Sequence, residues 1–278
     1  RENILDASEF YNRFLEKKLN SKNVCLTFDD GIRCQYDVAL PVLEDFKIKS
    51  FFFVYSSLFE GEPDLLELYR YFRMNYFKNI NDFYENFYEN VNHDLKFFFS
   101  KNIKNINKTK KKFEHYTIND IKFRLVRDHL LNKETYKNIM LEMFKNKKFD
   151  YKEFFEILFL NKNHLIKIDK LGHLIGLHSH DHPALMEKLS YENQYNQYKR
   201  NINILSKILK KDINQINCMS HPSGSYNKNT LEVLEKIGIK LGFKQIMTIE
   251  PEKGMKKINN SNLEIARQDH ADIMKMIN

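Results

Sequence analysis

Thr27-Phe28-Asp29-Asp30-Gly31 sets two neighbouring carboxylates where a short apolar run, Val24 to Phe28, stops at a glycine. Side chains alternate along a strand, so adjacent aspartates reach one centre only where the strand ends and the backbone turns. Like charges this close are costly unless a cation or a shared proton relieves them, which reads as a metal ligand beside a proton acceptor. At about 5% frequency per residue type, a given pentapeptide arises by chance in on the order of 10⁻⁴ of chains this long.

A second stretch, His178-Ser179-His180-Asp181-His182, follows the apolar run Leu174 to Leu177. Asp30 with His178 and His182 makes an Asp-His-His set of three protein ligands with a fourth position left for water, as hydrolytic zinc sites require. His173 and His180 read instead as hydrogen-bonded structural residues.

Both stretches belong to an alternating series. Strand-like runs are expected at Val24 to Phe28, Ser50 to Val54, Leu174 to Leu177, Ile216 to Ser220 and Leu263 to Ala266, each bounded by glycine, proline or polar residues. Helical periodicity fills Val38 to Phe46, Tyr191 to Leu209 behind a Ser190 cap, and Thr230 to Ile237, opened by Asn227 or Asn229 and closed by Gly238. Strands alternating with helices predict an α/β fold with parallel packing, and the motifs fall at the carboxyl ends of the strands, where such folds assemble their sites.

Thr-Phe-Asp-Asp-Gly followed by His-Ser-x-x-His resembles the first two motifs of the NodB-homology polysaccharide deacetylases, carbohydrate esterase family 4. Cys218-Met219-Ser220-His221-Pro222-Ser223-Gly224-Ser225-Tyr226-Asn227 is similar to the proline-centred third motif in its Pro-x-Gly-x-Tyr-Asn form, with Ser220 where the better-known form has arginine. Leu263-Glu264-Ile265-Ala266-Arg267-Gln268-Asp269-His270 resembles the arginine-bearing final strand. The resemblance covers about residues 22 to 58 and 168 to 270. It refines the fold to a distorted, incomplete β/α barrel and implies a metal-dependent hydrolase that removes an N-acyl group from an amino sugar of a surface polysaccharide, or from its nucleotide- or lipid-linked precursor.

The resemblance also implies roles. Asp29 is the general base, and one divalent ion, zinc first among the transition metals, sits on Asp30, His178 and His182. The third motif, with His221, Pro222, Ser223, Gly224 and Tyr226, lines the substrate and supplies an oxyanion N–H near Pro222 to Gly224. With the usual arginine absent at Ser220, Arg267 is expected to hold Asp29 from the last strand, since the final strand of a barrel-like sheet lies near the first. His270 is the first candidate for the acid that protonates the leaving amine, and His221 the second. The acyl group is expected to be acetyl, with formyl the alternative. A noncatalytic saccharide-binding or assembly protein on the same scaffold is the reading from another class, which the altered third motif favours and the intact first two oppose.

Residues 60 to 169 differ in character, being dense in aromatic and charged residues and nearly free of glycine and proline. Runs such as Leu65-Leu66-Leu68-Tyr69-Phe72 have helical spacing, and the segment reads as a helical insertion between the second and third strands of one domain spanning 1 to 278. Its return to the catalytic side suggests a lid, favouring small or chain-terminal substrates, or a surface for protein or peripheral membrane contacts.

The 278 residues, 42% hydrophobic, suffice for a sizeable core. The net charge of +8 follows a chain-wide abundance of lysine without an arginine stripe, and the basic run Lys108 to Lys112 reads as a solvated helix face or loop, so nucleic acid is not an expected partner. Three cysteines without a CxxC indicate neither a disulfide framework nor a cysteine zinc site. No stretch of about 18 uncharged apolar residues is present. The start at Arg1, with no methionine or leader, points to the cytoplasm, or to the periplasm if a signal was trimmed.

Overall fold

The computed structural model describes residues 4–62, 64–112 and 116–277. Two compact units form, one from Arg1–Asp64 with Glu156–Asn278, the other from Leu65–Phe155.

In the first unit, β1 (Thr27–Asp29), β2 (Phe51–Val54), β3 (Leu174–Leu177), β4 (Cys218–Ser220) and β5 (Leu241–Phe243) are all parallel and adjacent in chain order. A doubly wound sheet would reverse its order at a switch point; this one does not, and it curls into a half-barrel. The register sets Asp29 opposite Phe53 and Val54 opposite Leu177, so the strand ends carrying the motifs lie at one level. Parallel sheets are covered on both faces, which is why β2 is an unbroken run, Phe51-Phe52-Phe53-Val54, wholly buried.

β5 has no counterpart among the expected strands. Its centre is Gly242, where a Cβ would sit 2.8 Å from Cα and O of Leu263, so a glycine lets the last segment approach the sheet. That segment, expected as a strand over Leu263 to Ala266, pairs with β5 only through Ile265, which bridges Phe243 in parallel. This one pairing still extends the sheet by a sixth position and leaves Arg267 just past its end.

Before the sheet, α1 (Ala7–Leu15) packs Phe10 against Phe51 and Phe243, with ring centroids 6.2 Å apart in each case. The helix expected over Val38 to Phe46 forms as a π-helical turn, Gln35–Ala39, running into α2 (Leu40–Asp45), with Pro41 in the first turn where its missing N–H is tolerated.

The second unit is helical: α3 (Leu65–Asn75), α4 (Ile80–Glu89), α5 (Leu95–Lys101), α6 (Ile103–Lys112), α7 (Ile118–Leu125) and α8 (Lys133–Asn146). Its aromatics form its own core, with Phe72, Phe83, Phe87, Phe123 and Phe144 buried and meeting largely edge to face at 4.6–5.4 Å. Lys108 to Lys112 close α6, whose Ile106 is buried while Lys108 and Lys111 are exposed.

After α9 (Phe155–Leu158), α10 (Lys162–Lys170) buries Leu165 and Ile168 in the first unit, as the crossover helix before β3. α11 (Tyr191–Leu209) begins at the expected cap, Ser190 accepting the Asn193 N–H, and buries Gln194, Tyr198, Asn201, Ile202 and Leu205 along one face. α12 (Lys228–Lys236) is opened by a reciprocal Asn227–Thr230 capping box, and α13 (His270–Ile277) follows Arg267. No described helix is long and apolar enough to cross a membrane.

Candidate active site

The adjacent aspartates diverge by a backbone turn. Asp29 ends β1; Asp30 and Gly31 then take left-handed conformations, φ +76° and +65°, which swing the second carboxylate to the same side as the first. A side chain at Gly31 would place its Cβ 2.9 Å from Val54 Cγ1. Eight described non-glycine residues have positive φ. Four are lysines at helix ends, and the others, Asp30, Ser179, His182 and Ser223, lie in the three motif loops. Strain concentrated this way marks a constellation that the surrounding structure holds in place.

His178 follows β3. Its N–H donates to buried Asn201 Oδ1 at 3.0 Å, and Asn201 Nδ2 donates to Val54 O at 3.1 Å, tying the residue to two strands. Its Nδ1 lies 2.9 Å from Ser220 O, and because a carbonyl only accepts, Nδ1 carries the proton and Nε2 keeps a lone pair. His182 Nδ1 meets Asp64 Oδ2 at 2.9 Å in the same sense. The two Nε2 atoms then face one oxygen, Asp30 Oδ1, at 3.1 and 3.2 Å. Three electron-rich atoms converging without a donor between them fit a cation, and no other such group of histidine, cysteine and carboxylate ligand atoms, all within 4.8 Å, occurs among the described residues. Burial pushes the His182 pKa down, but the Asp64 hydrogen bond and the charges of Asp30, Asp64 and Asp29 outweigh it, and the net is raised. The raised pKa concerns a second proton, on Nε2, with which a metal bound there would compete, while Nδ1 keeps its proton on Asp64.

Asp29 is gripped differently. Arg267 Nη1 donates to Oδ1 at 2.8 Å and Nη2 to Oδ2 at 2.7 Å, a two-point clamp, while Ser220 Oγ donates to Oδ2 at 3.0 Å. The guanidinium is fixed in turn by Nε to Lys244 O at 2.8 Å and Nη1 to Thr27 Oγ1 at 3.2 Å. Burial pushes the Asp29 carboxyl up, yet Arg267 and then His178 outweigh it against the opposing charge of Asp30, holding it below the ordinary carboxylate range. Asp29 is therefore ionised at neutral pH, and Ser220 and Arg267 meet on one carboxylate.

The third motif is a tight loop. Gly224 N–H donates to His221 O at 3.1 Å and Ser225 N–H to Pro222 O at 2.9 Å; proline has no N–H, so Ser223 carries the remaining donor of the stretch expected to bind an oxyanion. His221 is buried, stacked 4.2 Å from the Tyr226 ring, with Nε2 donating to Leu263 O at 2.8 Å. Burial pushes its pKa down to about 3, so it is a neutral packing residue rather than a proton donor at working pH. Tyr226 is buried and donates to buried Glu264 at 3.1 Å. A cavity of about 280 Å³ lies against Leu185, Glu187, Ser223, Gly224, Ile246 and Lys253.

The structure thus brings together Asp29, Asp30, His178, His182 and Arg267, and places the loop of His221, Pro222, Ser223, Gly224 and Tyr226 directly after Ser220. It does not bring His270 to them: that side chain, at the start of α13, is 91% exposed and pairs with neighbouring Asp269 at 3.3 Å. His173 and His180 are buried and hydrogen-bonded, to Ser50 N–H and Ser56 Oγ. Sequence reasoning missed Asp64, 118 residues from His182, and the Ser220 hydroxyl, noted only as the place of a missing arginine.

A family model for polysaccharide deacetylase matches residues 16–127 and 106–242. Comparison with curated proteins finds no match. Among solved structures, the Streptococcus pyogenes deacetylase PplD in complex with acetate is similar with a TM-score of 0.50 at 18% identity, over 95% of this chain and 72% of that one. A de-N-acetylase from Aggregatibacter actinomycetemcomitans gives 0.50 at 12%, over 98% and 82%. IcaB from Ammonifex degensii gives 0.51 at 13%, over 99% and 79%. At such identities the structural likeness speaks for the fold, and the family match, running from before β1 into β5, speaks for descent: the chain belongs to the polysaccharide deacetylase family.

Proposed function

We propose that this protein is a metal-dependent N-deacetylase acting on an acetylated amino sugar of a surface polysaccharide or its precursor, with a single domain over 1 to 278 interrupted by the helical insertion expected over 60 to 169, of which residues 65 to 155 form the compact helical unit. The observation that carries the reading is the convergence of Asp30, His178 and His182 beside a carboxylate clamped ionised by Arg267. A divalent cation held by those three residues would supply Lewis acidity and lower the pKa of water towards about 7.

The protein's own part follows from the geometry. Asp29 Oδ1 and Oδ2 are aimed by two guanidinium bonds, so the carboxylate accepts the proton of attacking water without first reorienting. Ser223 N–H is the loop's donor to the oxygen that gains charge as the amide carbonyl is attacked. With His270 solvated and His221 neutral and spent on Leu263 O, Asp29 also returns the proton to the leaving amine. A carboxyl whose pKa is held low is a strong acid once protonated, which suits that second step.

The test joins metal analysis of the purified protein to a mass-spectrometric screen of N-acetylated and N-formylated nucleotide sugars and glycan oligomers. Loss of an acetyl group that is abolished by chelation supports the reading; binding of glycans with no acyl loss on any of them contradicts it.

A further inference from the structure

The two histidines of the proposed metal set are held unequally. His178 donates from Nδ1 to a neutral carbonyl, Ser220 O, whereas His182 donates from Nδ1 to a carboxylate, Asp64 Oδ2, both at 2.9 Å. Asp64 is itself fixed: its N–H donates to the Tyr55 hydroxyl at 3.1 Å, and the buried Tyr55 ring lies 5.7 Å from the His182 ring. Tyr55 directly follows β2, so one aromatic residue sets both the carboxylate and the imidazole relative to the sheet. His182 has need of such support, because it sits on a loop in the left-handed region, φ +50°, while His178 is anchored at a strand end through Asn201.

We propose that Asp64 is a positioning residue of the metal centre, accepting the Nδ1 proton of His182 so that Nε2 faces Asp30 as an electron-rich ligand. The proposal rests on the reading of Asp30, His178 and His182 as ligands. Three consequences follow. The tautomer is fixed before any ion arrives. Imidazole with a carboxylate on its far nitrogen is the more basic donor, so His182 is the stronger of the two histidine ligands. Finally, Asp30 with two neutral imidazoles offers one negative charge, and Asp64 adds the second, which balances a divalent ion in a partly buried site. Asp64 is also the last residue before the helical unit begins at Leu65, so the centre takes one of its supports from the point where that unit departs.

The test compares Asp64→Asn and Asp64→Ala with the parent chain in two measurements: zinc affinity by competition with a chromophoric chelator, and thermal unfolding of the zinc-stripped protein. Asp64→Ala is expected to weaken zinc about 10- to 100-fold with the stripped protein's melting temperature little changed. Asp64→Asn, which keeps an acceptor for Nδ1–H but loses the charge, is expected to fall between. A merely structural aspartate would show the opposite pattern, a lower melting temperature at unchanged affinity, and that result overturns the proposal. If Asp64→Ala does not fold, Asp64→Asn decides, with parental zinc affinity counting against it. Failure of the parent chain itself to bind zinc in one tight site would instead remove the underlying reading of the three ligands.

Discussion

Arg267 and Asp29, 238 residues apart in sequence, are joined by two parallel N–H···O bonds of 2.8 and 2.7 Å. The half-barrel makes this possible: the edge position of Ile265 beyond β5 delivers the guanidinium to the end of β1, where Thr27 and Asp29 both accept from it. Ser220 on β4 reaches the same carboxylate with a hydroxyl, so the cation enters from the last edge of the sheet and not from the third motif.

Replacing the clamp tests its purpose. Arg267→Lys keeps a charge but not the two-point geometry, and Arg267→Ala keeps neither, so kcat is expected to fall by at least about tenfold and more steeply in alanine. Because Arg267 holds the Asp29 pKa low, the acid limb of kcat/KM, measured at saturating metal, should shift to higher pH in both variants. An unmoved acid limb would mean that Arg267 does not govern the ionisation of the base.

The two neighbouring carboxylates should separate by readout. Asp29→Asn is expected to retain metal and lose about 10² to 10⁴ in rate, as loss of a general base does, whereas Asp30→Asn should lower metal content itself. Equal metal loss in the two variants would contradict the division of roles.

Gly31 completes the left-handed turn that Asp30 begins at the end of β1. Gly31→Ala forces a methyl group to 2.9 Å from Val54 Cγ1 and 3.2 Å from Leu58 Cδ2 at φ +65°. Destabilisation of about 1–3 kcal/mol is expected in urea unfolding, together with weaker metal binding as Asp30 is displaced. Unchanged stability and metal affinity would show that the turn relaxes freely.

His173 predicts the acid sensitivity of the fold. Burial, and next the charge of Lys49, push its pKa down to about 4 from its ordinary 6.5, against the weaker pull of Asp6. The unfolded chain therefore takes up a proton that the folded chain refuses between those values: stability is complete above about pH 6.5 and falls as pH drops towards about 4. The loss is on the order of 3 kcal/mol, and His221, with its pKa about 3, acts with the same sign. His173→Asn, which retains an acceptor for the Ser50 N–H, should flatten the slope of urea midpoint against pH; an identical slope would locate the sensitivity elsewhere.

Legibility in the sequence followed the range of the forces. Ser190, Asn227 and Gly238 mark their helix ends because capping is decided within one turn of chain. Ser50 to Val54 and Leu174 to Leu177 are legible because a buried parallel strand must be apolar on both faces, whereas of the expected run Val24 to Phe28 only Thr27 and Phe28 enter β1, and half-exposed Val24 makes a lone bridge to Ile4. β5 escaped since Leu241-Gly242-Phe243 is three residues around a glycine whose reason, the approach of Leu263, lies outside it. The Asp30, His178 and His182 set was legible because its members stand in two compact motifs. Asp64 was not, because nothing in its neighbours signals an imidazole that only folding brings near, and His270 sits beside the arginine in sequence yet out in solvent.

The most direct measurement is acetate release from an N-acetylated glycan by protein stripped of metal and titrated with zinc, for the parent chain and for His178→Ala and His182→Ala. The account predicts no activity when stripped, recovery that saturates at one equivalent per chain, and neither tight uptake nor recovery in the two variants. Acetate release that survives stripping, or that returns in either variant at the parental stoichiometry, would contradict it.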